Sequence, residues 1–292
     1  MKNITKIPLH KQKASPTGGI NVRHLEIKAN ELKLPNSLYH DVYDKHMDDH
    51  YSIGLVTKGS VTVHCDMEEI TVTENSLFVM KPFQVHAVNH ISADAGGYFV
   101  GIESFLMPQQ CRTLFGNLTP KQQFLSIPTA LQQTLLQTID LLHAAHDQQN
   151  SYKHHILNGY FNAYVHHVAS LYETIDIKNN ISLNNQAAII ASQFSALLAQ
   201  HSFLKLPSFF AQKLNITTAH LNHCLKTVTG FTITHWLQDA MITEAKKQLY
   251  YTDNDSKQIA FTLGYDDHAY FTRLFKKLTG YTPLAFRKQF RE

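Results

Sequence analysis

The spacing of hydrophobic residues changes once along the chain, after the first 120 residues. From Tyr51 to Ile102, short apolar runs alternate with polar positions and are separated by turn residues such as Gly59. Runs of this kind, about 8 to 12 residues apart, predict short antiparallel strands in a sandwich or barrel. From Gln122 onward the apolar residues recur three and four positions apart, which predicts amphipathic helices.

A segment rich in asparagine separates two groups of predicted helices. Residues 176–185 contain few helix-forming residues and predict a linker between two domains. We therefore expect an α+β protein. Residues 1–175 are predicted to form an antiparallel β-barrel with trailing helices, and residues 186–292 an all-α domain.

The last helix before the linker is predicted over residues 153–173. Its apolar face carries Leu157, Phe161, Tyr164 and Val168 at helical spacing. This face is predicted either to pack on the barrel or to form a dimer interface, and the pattern alone leaves both interpretations open.

The C-terminal part of the chain contains an internal repeat. Residues 210–232 and 259–282 match in their small, apolar and turn positions, at an offset of 49 residues before the turn and 50 after it. In each copy a short helix with a small residue is followed by a turn and a second helix. This order is typical of a helix-turn-helix motif, and two copies joined by a helix are predicted.

The second helix of each copy combines helix-ending signals with a polar face. Thr217 and Asp266 are predicted to cap its N-terminus, and Gly230 and Gly280 its C-terminus. Its polar and basic side chains suit contacts with base edges and phosphates in a major groove. The predicted DNA-binding residues are Thr218, Asn222, His223, Lys226, His268, Thr272, Arg273 and Lys276. The alternative, a plain helical bundle with solvated charges, is disfavoured because the motif occurs twice.

The stretch from Ile259 to Arg287 resembles the C-terminal signature of the AraC/XylS family of bacterial transcription regulators. The resemblance covers about residues 186–290 and implies two helix-turn-helix motifs that enter successive major grooves. The base contacts that it implies are Asn222 and His223 in the first motif and His268, Thr272 and Arg273 in the second. The first motif departs from the family. His223 and Cys224-Leu225 stand where members often have arginine followed by a pair of the Leu-Phe type, which reduces the positive charge there.

Residues 1–175 resemble, more weakly, the cupin-like barrel that many members of this family carry. The landmarks include His46 and, later in the chain, His86. Cupin enzymes usually bind a metal through His-x-His, a following Glu and a later His, but Asp48 stands where the second His would fall. We therefore expect neither a metal nor another cofactor at this site.

The resemblance implies a small-molecule site in the barrel and favours dimerisation through the helix over residues 153–173. The predicted effector-binding residues are His46, Tyr51, His64 and His86. The alternative is that these four side chains are hydrogen-bonded scaffold or turn residues. The residues predicted for dimerisation are Leu157, Phe161, Tyr164 and Val168.

Charge is divided unevenly between the two predicted domains. Residues 1–180 hold 14 basic and 16 acidic residues, and residues 181–292 hold 12 and 7, a net of −2 against +5. A basic surface attracts the phosphate backbone of nucleic acid. A hydrophobic content of 43% argues against disorder, and no apolar run is long enough for a membrane span. The first residues lack an apolar leader, and the three cysteines form neither a disulfide nor a zinc pattern, so we expect a cytoplasmic protein.

These observations together predict a sequence-specific DNA-binding transcription regulator, and not an enzyme, that is controlled by a small-molecule effector. The expected partners are double-stranded promoter DNA, an unidentified effector, RNA polymerase and a second copy of the chain in a homodimer, with no membrane. Two alternatives remain. One is a cupin-type metal enzyme with an attached DNA-binding or interaction module, and the other is a constitutive regulator whose barrel only dimerises.

Overall fold

The computed structural model describes residues 8–10, 19–26, 43–66, 68–173, 186–200 and 203–291. The chain divides into two compact units. The N-terminal unit comprises Met1–Ser104 and Leu118–Asn179, and the C-terminal unit comprises Phe105–Asn117 and Asn180–Glu292. The linker predicted over residues 176–185 lies outside the described residues.

Short strands form the sheets of the N-terminal unit, as their alternating sequence pattern predicts. The described strands are β1 (Leu9–His10), β2 (Ile20–Glu26), β3 (Met47–Asp48), β4 (Tyr51–Lys58), β5 (Ser60–Cys65), β6 (Glu68–Thr73), β7 (Ser76–Met80), β8 (His86–Ile91), β9 (Gly96–Ile102) and β10 (Phe124–Ser126). One antiparallel sheet has the order β10-β7-β4-β9-β2, and a second has the order β6-β5-β8. β1 and β3 form a separate parallel pair in which His10 lies opposite Asp48.

The predicted α+β fold class is confirmed, although the barrel is not closed. No strand among those described belongs to both antiparallel sheets. Both sheets contribute side chains to a buried core between them. Its residues are Val56, Val63, Cys65, Val72, Phe78 and Met80. The Phe78 ring lies over Gly54, where an added Cβ would overlap the ring. Side chains therefore fill the space between the sheets at this level.

Two long helices complete the N-terminal unit, α2 (Thr129–Asp147) and α3 (Lys153–Glu173), after a 3-10 turn at Lys121–Gln123. α2 and α3 pack against each other, and the predicted bounds of α3 are confirmed. The side chains predicted to form a dimer interface are Leu157, Phe161, Tyr164 and Val168. None of these four is more than 1% exposed in the single chain. The structure corrects that assignment, because side chains buried within their own unit are not accessible to a partner.

Within its described residues, the C-terminal unit contains helices joined by turns and no strands, as predicted. Its helices are α1 (Gln109–Gly116), α4 (Gln186–Gln200), α5 (Pro207–Lys213), α6 (Thr218–Thr229), α7 (Ile233–Tyr251), α8 (Ser256–Thr262), α9 (His268–Thr279) and α10 (Pro283–Phe290). One part of its core surrounds Phe194 and Phe210, and another surrounds Phe275 and Phe286. Within the described ranges, no helix has the length and apolarity that crossing a membrane requires.

The segment Phe105–Asn117 lies between strands of the N-terminal unit in sequence but packs in the C-terminal unit. α1 contacts α4, and the Phe105 ring centroid lies 5.4 Å from that of Tyr250 and 5.6 Å from that of Phe286. Phe105 is 3% exposed. The predicted domain boundaries did not separate this segment, since one short helix gives no sequence sign of which core it joins.

Candidate DNA-binding surface and buried histidine cluster

Each copy of the repeat folds into two short helices joined by a turn, α5 and α6 in the first motif and α8 and α9 in the second. The turns have the same backbone contact, because the N–H of Ile216 donates to the carbonyl of Ala211 and that of Tyr265 to the carbonyl of Ala260. Both alanines are buried. A small side chain at this place lets the two helices of a motif approach closely.

The second helix of each motif, here called the recognition helix, has well-defined ends. Thr217 accepts a hydrogen bond from the N–H of His220, which confirms the predicted cap of α6. α9 is capped by Asp267, which accepts from the N–H groups of Ala269 and Tyr270. The predicted cap, Asp266, was wrong by one residue because the additional turn residue of the second copy precedes the cap. The C-terminal glycines of both helices are in the left-handed region, as predicted.

Three of the four residues predicted on the first recognition helix are exposed: Thr218, His223 and Lys226. Asn222 is different. Its side-chain Oδ1 accepts a hydrogen bond from the backbone N–H of Ile233 at 3.1 Å, at the first position of α7. The side chain therefore holds the start of the next helix, and the structure reassigns it from a base contact to a structural role.

The second recognition helix exposes Arg273 and Lys276, whereas His268 and Thr272 are partly buried. His268 Nε2 lies 2.9 Å from Ser256 Oγ and 3.4 Å from Thr272 Oγ1. His268 thus connects α9 to the start of α8, and Thr272 contacts His268 within α9. Arg273 and Lys276 are therefore the predicted residues of this motif that remain exposed to solvent.

Two exposed side chains were missed by the sequence prediction, His220 on α6 and Tyr270 on α9. They occupy equivalent positions of the repeat, and the signal that could have found them is this equivalence together with their place in the first turn of each recognition helix. The Tyr270 ring is 51% exposed and packs on Tyr265 with centroids 6.0 Å apart.

Not all of the positive charge in the C-terminal unit is available to DNA. Arg287 Nε donates to the carbonyl of Leu249 at 3.0 Å, and its Nη2 to that of Thr252 at 3.2 Å. Arg291 Nη1 donates to the same Thr252 carbonyl at 2.6 Å. These guanidinium groups satisfy carbonyls at the C-terminal end of α7, where a cation is favourable. The exposed basic side chains on the recognition helices are Lys226, Arg273, Lys276 and Lys277.

In the N-terminal unit the structure brings together two of the predicted effector-binding residues, His46 and His86. Each donates its backbone N–H to the carbonyl of the other, and the ring centroids are 4.3 Å apart. Both side chains are almost fully buried, with 3% and 6% of the residue exposed. His86 lies opposite Cys65, so its ring is on the face of the sheet that forms the core between the sheets.

The other two predicted effector-binding residues lie elsewhere. His64 lies opposite Ala87 and alternates with Cys65 along β5, which places its ring on the other face of the sheet from His86. Along β4, Ser52 lies opposite the core residue Met80, and Tyr51 therefore faces away from that core. The structure does not group Tyr51 and His64 with His46 and His86.

The group that sequence reasoning underrated is Asp48, which lies at the centre of a buried histidine cluster. His86 Nε2 is 3.4 Å from Asp48 Oδ2, and His46 Nε2 and His10 Nδ1 are each 4.0 Å from Asp48 Oδ1. Burial alone would raise the pKa of the Asp48 carboxyl. The neighbouring imidazoles of His86, His50 and His46 outweigh burial and lower this pKa below its ordinary value.

Two family models match the chain. Residues 36–157 match the AraC-like ligand binding domain, and residues 210–289 match a helix-turn-helix domain. The second match covers both copies of the repeat, and the first contains His46, Asp48 and His86.

Curated relatives match part of the chain. The arabinose operon regulatory protein of Escherichia coli strain K12 is 34% identical over 77 residues, which are 26% of this chain and 26% of that protein. The HTH-type transcriptional activator RhaR of Enterobacter sp. strain 638 is 26% identical over 114 residues, 39% of this chain and 40% of that protein. The chain thus spans about a quarter of the length of the arabinose regulator that it matches.

Among solved structures, unsaturated fatty acid bound ToxT from Vibrio cholerae strain SCE256 is similar over 93% of this chain and 95% of that chain, at 17% identity. The TM-score is 0.38, which is too low to bear on the fold. The C-terminal domain of AraT, a response regulator from Geobacillus stearothermophilus, is similar over 36% of this chain and 87% of that chain, with 24% identity and a TM-score of 0.32.

Proposed function

Since the chain belongs to the AraC/XylS family of regulators, we propose that it is a sequence-specific DNA-binding transcription regulator whose N-terminal unit binds a small effector. The observation that carries the proposal is the pair of helix-turn-helix motifs with equivalent caps, turns and exposed recognition helices. Two such motifs in one chain can bind two neighbouring segments on one face of DNA.

The helix between the motifs supports this use by its length. α7 has 19 residues. At a rise of 1.5 Å per residue such a helix is about 28 Å long. Successive major grooves on one face of DNA are about 34 Å apart. A spacer of this length is therefore suited to two motifs that occupy consecutive grooves.

Charge also supports DNA as the partner. The exposed basic side chains of the two recognition helices, Lys226, Arg273, Lys276 and Lys277, provide for phosphate contacts and for one bidentate contact from the Arg273 guanidinium. Its nearest acidic neighbour is Asp267, at 3.9 Å, and both side chains are well exposed. A surface ion pair of this kind is weak and does not prevent Arg273 from binding DNA.

A selection from random duplex DNA with the full chain tests the proposed function. We expect enrichment of sites with two conserved blocks about 10 base pairs apart, one for each motif. Binding should weaken steeply with salt because phosphate contacts release counterions. Failure to enrich any sequence at low salt would contradict the proposal.

On an enriched site, replacing Arg273 by Ala should reduce affinity by about 1–3 kcal/mol and relax the preference at one base pair. Lys288→Ala is the matched control, since Lys288 is an exposed basic residue on α10 and not on a recognition helix. Fluorescence anisotropy with the enriched site and a scrambled site measures both effects. An equal loss on the two sites would reassign Arg273 to a phosphate contact.

Of the four predicted effector-binding residues, we propose that His46 and His86 contact the effector. Tyr51 and His64 are omitted because they face other surfaces.

Homodimerisation and contact with RNA polymerase remain predictions, and a dimer would need a surface other than the buried face of α3. The relatives reported above are named as regulators or activators, which favours regulation over the rival, a cupin-type metal enzyme.

A further inference from the structure

Three separate segments contribute imidazole rings to the Asp48 carboxylate. β1 carries His10, the bridge before β3 carries His46, and β8 begins at His86. The available ligand atoms of His10, His46 and Asp48 all lie within 4.8 Å of one another. The His10 and His46 rings are stacked with centroids 4.4 Å apart. The pairing of β1 with β3 therefore adds to the site a histidine that no motif in the sequence indicates.

The backbone determines which nitrogen of His46 and of His86 faces the carboxylate. His46 Nδ1 lies 2.7 Å from the carbonyl oxygen of Asp44, and His86 Nδ1 lies 2.9 Å from that of Gln84. A carbonyl oxygen can only accept a hydrogen bond, so each Nδ1 carries the proton. In the neutral ring the Nε2 atom then presents a lone pair, and both Nε2 atoms face Asp48.

His50 Nε2 also lies 3.9 Å from Asp48 Oδ2, so imidazole rings surround the buried carboxylate. A metal cation balances the carboxylate and uses the lone pairs of the Nε2 atoms that face it. Metal-binding histidines usually have this arrangement, in which the second ring nitrogen donates to a backbone carbonyl.

We propose that His10, His46, Asp48 and His86 bind one divalent transition-metal ion of the zinc class. Three imidazole nitrogens and one carboxylate oxygen form a ligand set that zinc accepts. In a tetrahedral site with bonds of about 2.0–2.1 Å, neighbouring ligand atoms are about 3.3–3.4 Å apart. His86 Nε2 lies 3.4 Å from Asp48 Oδ2, whereas His10 Nδ1 and His46 Nε2 each lie 4.0 Å from the other oxygen, Oδ1. Binding would therefore require the three rings to close around one carboxylate oxygen.

The metal would connect β1 to the sheets. β1 is only two residues long and is held by its parallel pairing with β3. A bond from His10 to the ion adds a second attachment that depends on metal. Metal binding itself does not depend on the proposed regulatory function. The role of the ion as the effector sensed by the N-terminal unit rests on that function.

The test uses the full chain, treated with chelator and then titrated with Co²⁺ or Zn²⁺. We expect one equivalent per chain by elemental analysis, and visible absorption bands of four-coordinate cobalt. With 19 histidines the chain also offers weak surface sites, so the titration is done against a competing chelator. Absence of stoichiometric binding under competition would overturn the proposal.

Variants locate the ion. His10→Ala and Asp48→Asn should each weaken binding at least tenfold and alter the cobalt spectrum. His64→Ala is the matched control, because His64 is on the neighbouring strand but on the opposite face of the sheet. His10 is part-exposed, so its variant keeps the fold if a buried variant does not. Equal binding by His10→Ala, His64→Ala and the parent chain would contradict the assignment.

Comparing DNA binding by the metal-loaded and the metal-free chain distinguishes failure of the metal proposal from failure of the proposed regulatory function. A shift in affinity for an enriched site on adding Zn²⁺, lost in His10→Ala, supports the ion as effector. Stoichiometric metal binding with unchanged DNA affinity contradicts the effector role and leaves the metal site standing. DNA binding that is absent in both forms contradicts the proposed regulatory function, whatever the metal result.

Discussion

At the scale of single residues, hydrogen bonds decide which polar side chains remain available for a partner. Asn222 and His223 are neighbours on α6 and looked equivalent in sequence, yet one is bonded to the backbone of α7 and the other is exposed. Helical periodicity identifies the polar face of a helix but not which of its members another helix uses. The same limit applies to His268, which packs against Ser256.

Replacing Asn222 by Ala should lower the stability of the C-terminal unit by about 1 kcal/mol, because the N–H of Ile233 loses its acceptor. Base preference on an enriched DNA site should stay unchanged. His223→Ala is the matched comparison, with little effect on stability and weaker DNA binding. Urea unfolding and anisotropy measure the two quantities. A change in base preference for Asn222→Ala, with unchanged stability, would restore the original assignment to DNA contact.

At the scale of elements, features that depend on neighbouring residues were predicted correctly, whereas contacts between elements distant in sequence were not. The repeat gave both motifs, the Thr217 cap and both C-terminal glycines, since these depend on residues within one or two turns. The partner of the apolar face of α3 was not determined by periodicity, and one of the two interpretations, dimerisation through that face, is corrected by its burial. His46 and His86 were predicted to lie in one site, but the place of His10 beside Asp48 was not, because it depends on the pairing of β1 with β3.

The caps of α9 offer a direct comparison of sequence and structure. Asp267→Ala should lower the melting temperature of the C-terminal unit, whereas Asp266→Ala should not, because only Asp267 accepts from the helix N-terminus. Backbone hydrogen bonds from Tyr270 and Ala269 lower the pKa of the Asp267 carboxyl. Its contribution is therefore present above the ordinary carboxyl pKa and is lost as the pH falls through the lowered value. Thermal melts at neutral and acid pH measure this, and equal melting temperatures for both variants would contradict it.

At the scale of the whole molecule, the two units are not consecutive in sequence. The chain leaves the N-terminal unit after β9, supplies Phe105–Asn117 to the C-terminal unit, and then returns to the sheet through β10. The two units are thus joined by three chain crossings instead of the single predicted linker. A change at the end of β9 therefore has a covalent route to the core formed by Phe105, Tyr250 and Phe286.

Phe105→Ala in the full chain should destabilise the C-terminal unit by about 3 kcal/mol, because a buried aromatic side chain leaves a cavity there. Phe105→Leu is the control that retains most of the apolar volume and should cost much less. The single tryptophan of the chain, Trp236, lies on α7, so its fluorescence reports the unfolding of this unit. If Phe105 contributed only to the N-terminal unit, the tryptophan transition would remain at the denaturant concentration of the parent chain, while the circular dichroism of the strands would shift.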